Sequence, residues 1–271
     1  MIAAPANSLP SETLTIPSRV ADPALGRPLT IQATYYPARL RDARPVPAPL
    51  VIFNHGSTGQ GAERGRIPRE AVLRYENQAR YFHARGFAFL APMRRGRGGS
   101  EGDYLESYNW DALKLAEGLQ HALDDVEAVV EFMRRQPEID GRRILVAGHS
   151  RGGLLSVAYA GRQPSGVIGS ISFAGGWIAE QGMMEDFNRD AFVRAGAGAV
   201  APSLWLYAEN DRHHTMPAIR RWHDAYTGAG GNAELYLFGP VEDDEGHQLL
   251  ERPGLWQSAV DAFLHQLGFF W

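Results

Sequence analysis

The sequence predicts an α/β fold in which helices flank both faces of a mostly parallel β-sheet. From residue 50 onwards, short apolar runs alternate with longer amphipathic segments. The runs are apolar at nearly every position, as expected of strands that are covered on both faces. The six runs are LVIF (50–53), FAFLA (87–91), ILVAG (144–148), VIGSISFAG (167–175), SLWLYA (203–208) and AELYLF (233–238).

Three of the intervening segments carry apolar residues at the spacing of an α-helix. Each stripe falls on one face at about 3.6 residues per turn, so each predicts a helix packed on the sheet. Such strand–helix alternation is typical of a parallel sheet whose functional groups lie beyond the carboxyl ends of the strands. The stripes are Val72, Tyr75, Ala79 and Phe82; Leu115, Leu119, Ala122, Val126, Val129 and Met133; and Trp256, Val260, Phe263 and Leu267.

Two segments depart from this alternation. Residues 1–46 contain β-like runs at 12–18 and 28–37 and then enter a proline-rich connector, which predicts an antiparallel pair at a sheet edge. Residues 176–202 are too long for a tight loop between strands and predict a short lid insertion of one or two helices. No internal repeat is present, and we expect residues 1–271 to form a single domain.

Composition argues against several classes of function. A net charge of −4 leaves no basic surface of the kind that binds nucleic acid. The absence of cysteine excludes disulfides, thiolate chemistry and cysteine-ligated metals. No apolar run reaches the roughly 18 residues of a membrane span, and no intact signal peptide is visible. The sequence assigns neither a compartment nor an oligomeric state.

The segment ILVAGHSRGG (144–153) contains the pattern G-x-S-x-G between a predicted strand and a predicted helix. This context is typical of a nucleophile elbow, a turn so sharp that Ser150 is strained and its neighbours at 148 and 152 must be small. Ser150 could instead be a helix N-cap, although a cap needs no flanking glycines. As a nucleophile, it would have the N–H of Arg151 as one donor to the developing oxyanion. His149 is interpreted as a bystander.

A nucleophilic serine requires a histidine base that is oriented by a carboxylate. In hydrolases with this elbow, the acid follows the serine and the histidine comes last. His247 lies in the loop after the last predicted strand, so it is the predicted base. Asp211 lies just beyond the preceding strand and is the predicted acid. The other acidic residues considered for this role are Glu209, Asp243 and Asp244.

The glycine-rich loop NHGSTGQG (54–61) is expected to supply the second oxyanion donor. The N–H of Ser57 is the best candidate, and that of Thr58 is the next. A phosphate-binding loop is the competing interpretation, but the P-loop lysine and the G-x-G-x-x-G spacing are both missing. His213, His214 and the acidic segment 242–247 are rich in possible metal ligands. Because the H-E-x-x-H spacing is absent, we predict a surface cluster and no metal site.

Together, NHGSTG, MRRGRGGSEG, GHSRGG, YAENDRHH and EGHQ resemble the α/β-hydrolase superfamily and, within it, the dienelactone hydrolase-like esterases. The resemblance covers roughly residues 30–271. It implies a sheet of about eight strands, a Ser150–Asp211–His247 triad and no cofactor. Dienelactone hydrolases use a cysteine nucleophile, which this chain lacks, so an ester of a small acyl group is the expected substrate. The resemblance extends to prolyl-oligopeptidase-type peptidases, so a peptidase, an amidase or an inactive binding module stays an alternative.

The predicted lid offers apolar side chains that could form the wall of an acyl or aromatic pocket. Ordinary packing explains them equally well. Arg94, Arg95 and Arg97 could attract an acidic substrate, but Glu101 and Asp103 follow them, which favours a solvated loop with its own counter-charges. The candidate pocket residues are Trp177, Met183, Met184 and Phe187.

Overall fold

The computed structural model describes residues 8–24, 26–38, 47–57, 68–106, 112–177, 185–242 and 244–271. They form an eight-stranded sheet with helices between the strands. The strands are β1 (Glu12–Asp22), β2 (Arg27–Tyr36), β3 (Ala48–Asn54), β4 (Ala88–Pro92), β5 (Ile139–His149), β6 (Val167–Phe173), β7 (Ser203–Ala208) and β8 (Ala233–Phe238). The helices are α1 (Glu76–His83), α2 (Ala112–Met133), α3 (Arg151–Ala160), α4 (Glu185–Gly198), α5 (Met216–Gly228) and α6 (Pro253–Gln266), with a 3₁₀ helix at Gly246–Glu251.

The sheet order is β1-β2-β4-β3-β5-β6-β7-β8. From β4 to β8 across the sheet, neighbouring strands are parallel. β1 and β2 pair antiparallel at one edge, and β2 is antiparallel to β4. The predicted mostly parallel sheet with an antiparallel edge pair is therefore confirmed. The carboxyl ends of β3, β5, β7 and β8 lie at one edge of the sheet, where the predicted site residues follow them.

The apolar stripe of α2 is buried as predicted, and so is that of α6 apart from Leu267, which follows the helix and is partly buried. The stripe beginning at Val72 is corrected, because α1 starts only at Glu76. Tyr75 precedes it in a left-handed conformation with φ +50°, and Val72 is 40% exposed. A residue with positive φ cannot continue a right-handed helix, so the periodic pattern extended too far.

The predicted lid is described in part, because residues 178–184 lie outside the described residues. Its second half is α4, which connects β6 to β7. The ring of Phe192 lies 4.4 Å from that of Trp205 in β7 and 6.0 Å from that of Trp222 in α5. This half of the segment is therefore a crossover helix with one face packed on the core. Among the described residues, no helix combines the length and apolar character needed to cross a membrane.

The predicted solvated loop at Arg94, Arg95 and Arg97 is wrong. All three arginines are buried, with exposures of 1%, 7% and 6%. Arg94 pairs with Glu106, and Arg95 pairs with Asp125 of α2 at 2.5 Å. The acidic residues that pair with Arg94 and Arg95 come from later in the chain, so the local charge pattern did not reveal them.

Candidate active site

Ser150 lies at the turn between β5 and α3 with φ +54° and ψ −122°, a conformation that L-residues rarely adopt. Its side chain makes no capping hydrogen bond to α3, a helix that the structure describes in full. The N-cap interpretation is therefore not supported. A Cβ placed on Gly148 would lie 2.4 Å from the Gly152 backbone, and one on Gly152 would lie 2.0 Å from the Asn54 carbonyl oxygen. Both glycines are required by this close approach.

The loop after β3 lies directly against the serine. A Cβ placed on Gly56 would lie 3.2 Å from the Cβ of Ser150. Ser57 follows and is partly exposed, whereas Thr58 lies outside the described residues. The backbone next to Ser57 thus lies against Ser150, and Arg151 follows Ser150 directly as the first residue of α3. The roles of Ser57 and Arg151 as oxyanion donors stay predictions.

Asp211 and His247 form a hydrogen-bonded pair. Asp211 Oδ2 lies 2.9 Å from His247 Nδ1, and both side chains are buried. Asp211 Oδ1 accepts the backbone N–H groups of His213 at 2.8 Å and His214 at 3.0 Å. The carboxylate is thereby fixed, and the bond to Nδ1 leaves Nε2 as the atom of His247 that can accept a proton. The other acidic candidates do not bond the imidazole: Glu209 is exposed, Asp244 pairs with Arg252, and Asp243 lies outside the described residues.

His247 lies in the 3₁₀ helix Gly246–Glu251, where the sequence predicted a loop. Burial, together with the charge of the nearby His213, lowers its pKa to about 3. Burial likewise lowers the pKa of His214 to about 3. A neutral imidazole at neutral pH is the form that can act as a base.

His149, which the sequence analysis interprets as a bystander, contacts the 3₁₀ helix that carries His247. Its Nε2 lies 2.7 Å from the carbonyl oxygen of His247, and the two rings are 5.0 Å apart. Burial lowers the pKa of His149 to about 3, so the ring is neutral, and Nε2 carries the hydrogen that it donates to the carbonyl. The residue before Ser150 thus binds the 3₁₀ helix that carries His247. G-x-S-x-G leaves this position unspecified, so the motif could not have identified the contact.

Among the described residues, three histidine rings lie next to the ring of His247, namely those of His149, His213 and His214. His213 and His214 lie 4.5 Å and 5.3 Å from His247 between ring centroids. Among the described residues, no group of three or more side chains is arranged to hold a metal ion. The cluster predicted at the surface is partly internal, since His214 is 3% exposed.

The candidate pocket residues are described in part. Met183 and Met184 lie outside the described residues. Trp177 is 1% exposed, and its ring covers the guanidinium of Arg151 at 4.6 Å. Phe187 is buried in the hydrophobic core. Trp177 and Phe187 therefore have packing roles, and their contact with a substrate stays a prediction.

A protein family matches the part of the chain that contains Ser150 and Asp211. The family described as serine aminopeptidase, S33, matches residues 69–226, more than half of the chain. The chain belongs to the S33 family of α/β-hydrolases. This assignment makes it a hydrolase of the serine type. The match includes Ser150 and Asp211 and ends before His247. No curated protein sequence matches this hydrolase.

Solved structures share the fold of this hydrolase at low sequence identity. A Klebsiella pneumoniae protein assigned as a dienelactone hydrolase has a TM-score of 0.63 and 20% identity, with 97% of this chain and 98% of that chain covered. A Pyrococcus furiosus esterase has a TM-score of 0.66 and 14% identity, with 96% and 91% covered. Porphyromonas gingivalis dipeptidyl peptidase 4 has a TM-score of 0.61 and 14% identity, with 91% of this chain but 35% of the peptidase covered. These likenesses support the α/β-hydrolase fold.

Proposed function

We propose that this hydrolase is a serine esterase that cleaves carboxylic esters of small acyl groups. Ser150 is the proposed nucleophile, His247 the base and Asp211 the residue that orients the base. One observation carries the proposal: Ser150 has a strained positive φ at the elbow, and the Asp211–His247 pair is held against that elbow through His149. Strain of this kind is concentrated at functional sites.

In the first half-reaction, His247 Nε2 takes the proton of the Ser150 hydroxyl as Oγ attacks the ester carbonyl carbon. The carbonyl oxygen becomes an oxyanion that accepts hydrogen bonds from the N–H groups of Ser57 and Arg151. When the intermediate collapses, the carbon–oxygen bond of the ester breaks. His247 gives its proton to the departing alcohol, and the acyl group stays on Ser150.

In the second half-reaction, His247 takes a proton from water, which attacks the acyl carbon. A second tetrahedral intermediate collapses, the carboxylic acid leaves, and His247 returns the proton to Ser150. During both steps, Asp211 stabilises the imidazolium through the 2.9 Å contact with Nδ1. Water is the only co-substrate that the reaction needs, so the proposal requires neither a metal nor an organic cofactor.

A peptidase or amidase with the same three residues is the second candidate, and the description of the family favours it. An aminopeptidase must bind the α-ammonium group of its substrate, which calls for an available carboxylate near the scissile bond. Among the described residues, the two buried carboxylates that adjoin the elbow are already paired, Asp211 with His247 and Glu106 with two arginines. A small neutral ester needs no such carboxylate, so we favour the esterase.

The decisive experiment compares substrates and variants. We expect the wild-type protein to hydrolyse p-nitrophenyl acetate and butyrate faster than alanine p-nitroanilide. A fluorophosphonate probe should modify Ser150, as located by mass spectrometry. Ser150→Ala should lower kcat by several orders of magnitude, because triad residues act as a unit. Ser165→Ala, at an exposed serine, is the control and should retain wild-type kcat.

Each alternative predicts a different result. Faster cleavage of the anilide would favour the peptidase. Absence of both hydrolysis and labelling in the folded wild-type protein would favour an inactive binding module. Ester hydrolysis that persists at the wild-type rate in Ser150→Ala would refute the assignment of the nucleophile.

A further inference from the structure

Three charged side chains are buried behind the two oxyanion donors. Arg94, Glu106 and Arg151 have exposures of 1%, 4% and 0%. Burying charged groups is costly unless they are paired and hydrogen-bonded. The proposed mechanism uses none of these three side chains, so their pairing at this position needs a separate explanation.

Arg94 connects Glu106 to the loop after β3 that contains His55, Gly56 and Ser57, here called the oxyanion loop. Its Nε donates to Glu106 Oε1, and its second terminal nitrogen lies 2.9 Å from Oε2. The remaining terminal nitrogen donates to the carbonyl oxygen of His55 at 2.9 Å, and the backbone N–H of Arg94 donates to His55 Nε2 at 3.1 Å. The ring of His55 then binds the Gly56 carbonyl oxygen through Nδ1 at 2.7 Å. The chain immediately before Ser57 is therefore fixed by Arg94.

Arg151 connects Glu106 to the other donor. One terminal nitrogen lies 3.3 Å from Glu106 Oε2, donates to the Glu106 carbonyl oxygen and lies 3.0 Å from the Tyr104 hydroxyl. The indole of Trp177 covers the guanidinium. The side chain of Arg151 is thus locked in place, and its backbone N–H is the predicted donor in the first turn of α3.

Glu106 stays ionised in this environment. Burial by itself would raise its pKa, but the charges and hydrogen bonds of Arg94, together with the charge of Arg151, outweigh burial and lower the pKa to about 2. A single carboxylate with a permanent negative charge therefore holds both guanidinium groups. Such charge-assisted bonds, including the paired bonds from one arginine, define geometry closely.

We propose that Glu106 is a positioning residue of the oxyanion hole, which sets the spacing between the N–H groups of Ser57 and Arg151 by holding Arg94 and Arg151 at once. This inference rests on the proposed esterase mechanism. The oxyanion exists only in the transition state and the tetrahedral intermediate, so a change in spacing should affect kcat and leave KM nearly unchanged.

The neighbouring ion pair provides a matched control. Arg95 and Asp125 are buried to a similar extent, at 7% and 5% side-chain exposure, and their closest contact is 2.5 Å. The described contacts of this pair reach α2 at His121 and do not include the oxyanion loop or Arg151. Glu106→Gln and Asp125→Asn each replace one buried carboxylate with the amide of the same shape. Only the first removes a carboxylate that binds both Arg94 and Arg151.

The experiment measures kcat and KM for p-nitrophenyl butyrate, the rate of fluorophosphonate labelling and Tm for both variants. Rates are divided by the concentration of labelled serine, so that unfolded protein does not contribute. For Glu106→Gln we expect kcat and the labelling rate to fall by about 10²-fold, the scale of losing one oxyanion donor, with KM within about threefold. For Asp125→Asn we expect kcat within about twofold of wild type, although Tm falls.

If Glu106→Gln does not fold, Glu106→Asp is measured in its place. It keeps the charge but is one methylene too short to reach both arginines, and kcat should fall at least tenfold with KM unchanged. Equal kcat values for the Glu106 and Asp125 variants would overturn the inference and leave the esterase proposal intact. Failure of the wild-type protein to hydrolyse esters or to be labelled would overturn both.

Discussion

The close approach of α3 to the end of β3 allows a sharp test at Gly152. A Cβ at this position would lie 2.0 Å from the Asn54 carbonyl oxygen and 2.6 Å from that of His55, whereas real Cβ contacts stay above 3.0 Å. Gly152→Ala must therefore move α3 away from β3 by about 1 Å. Overpacking of this kind costs about 1–3 kcal/mol, and in a chain of this size it should lower Tm by roughly 2–12 °C.

The same movement separates the N–H of Arg151 from that of Ser57. A misplacement of about 1 Å at a reacting centre can cost about 10²-fold in rate. We expect Gly152→Ala to lower kcat for p-nitrophenyl butyrate by that order, in addition to its effect on Tm. The assay pairs steady-state kinetics with a thermal unfolding curve on the same preparation.

Gly254 is the matched control, because it lies in the first turn of α6 and a Cβ there would meet nothing within 4 Å. Alanine favours a helix over glycine by up to about 1 kcal/mol, so Gly254→Ala should keep or raise Tm and leave kcat unchanged. If Gly152→Ala showed the same Tm and kcat as Gly254→Ala, the close contact that we assign to the elbow would be refuted.

Two further predictions concern the base. The acidic limb of kcat/KM should lie below pH 6.5, because the neutral imidazole is the active form and burial lowers the pKa of His247. His213→Ala should move this limb to higher pH, because the charge of His213 opposes protonation of His247. An acidic limb at or above pH 6.5, or one that His213→Ala leaves in place, would contradict this reasoning. His149→Ala should lower kcat about tenfold with little change in KM, the effect of losing a hydrogen bond worth ~1.4 kcal/mol, whereas a bystander would leave initial rates unchanged.

Several features of the fold were predictable because they depend on local sequence. The six apolar runs and the stripe of α2 became strands and a helix, since burial on both faces or on one face leaves a periodic pattern. The pattern failed at Val72 and Tyr75, where the backbone conformation of a single residue decides where α1 begins. Hydrophobic spacing carries no information about such a residue.

For the candidate site, the sequence suggested the residues but not the contacts between them. Ser150 was recognisable because the constraint on its neighbours is local, and Asp211 and His247 followed from the order of residues at successive strand ends. The sequence could not show that His149 bonds the carbonyl oxygen of His247, because 98 residues separate the two in the chain. The pairing of Arg94 with Glu106 was missed for another reason: the nearer Glu101 binds Arg27 instead.

The sequence by itself determined the α/β class, the order of the strands and helices and the turn that exposes Ser150. Only the tertiary structure decided which charges are buried, that Asp211 contacts His247 at 2.9 Å and that Glu106 pairs with both Arg94 and Arg151. The physical reason lies in the range of the interactions. Backbone turns and amphipathic helices are specified by residues a few positions apart, whereas ion pairs and histidine contacts depend on strands and loops that meet only after the sheet has formed.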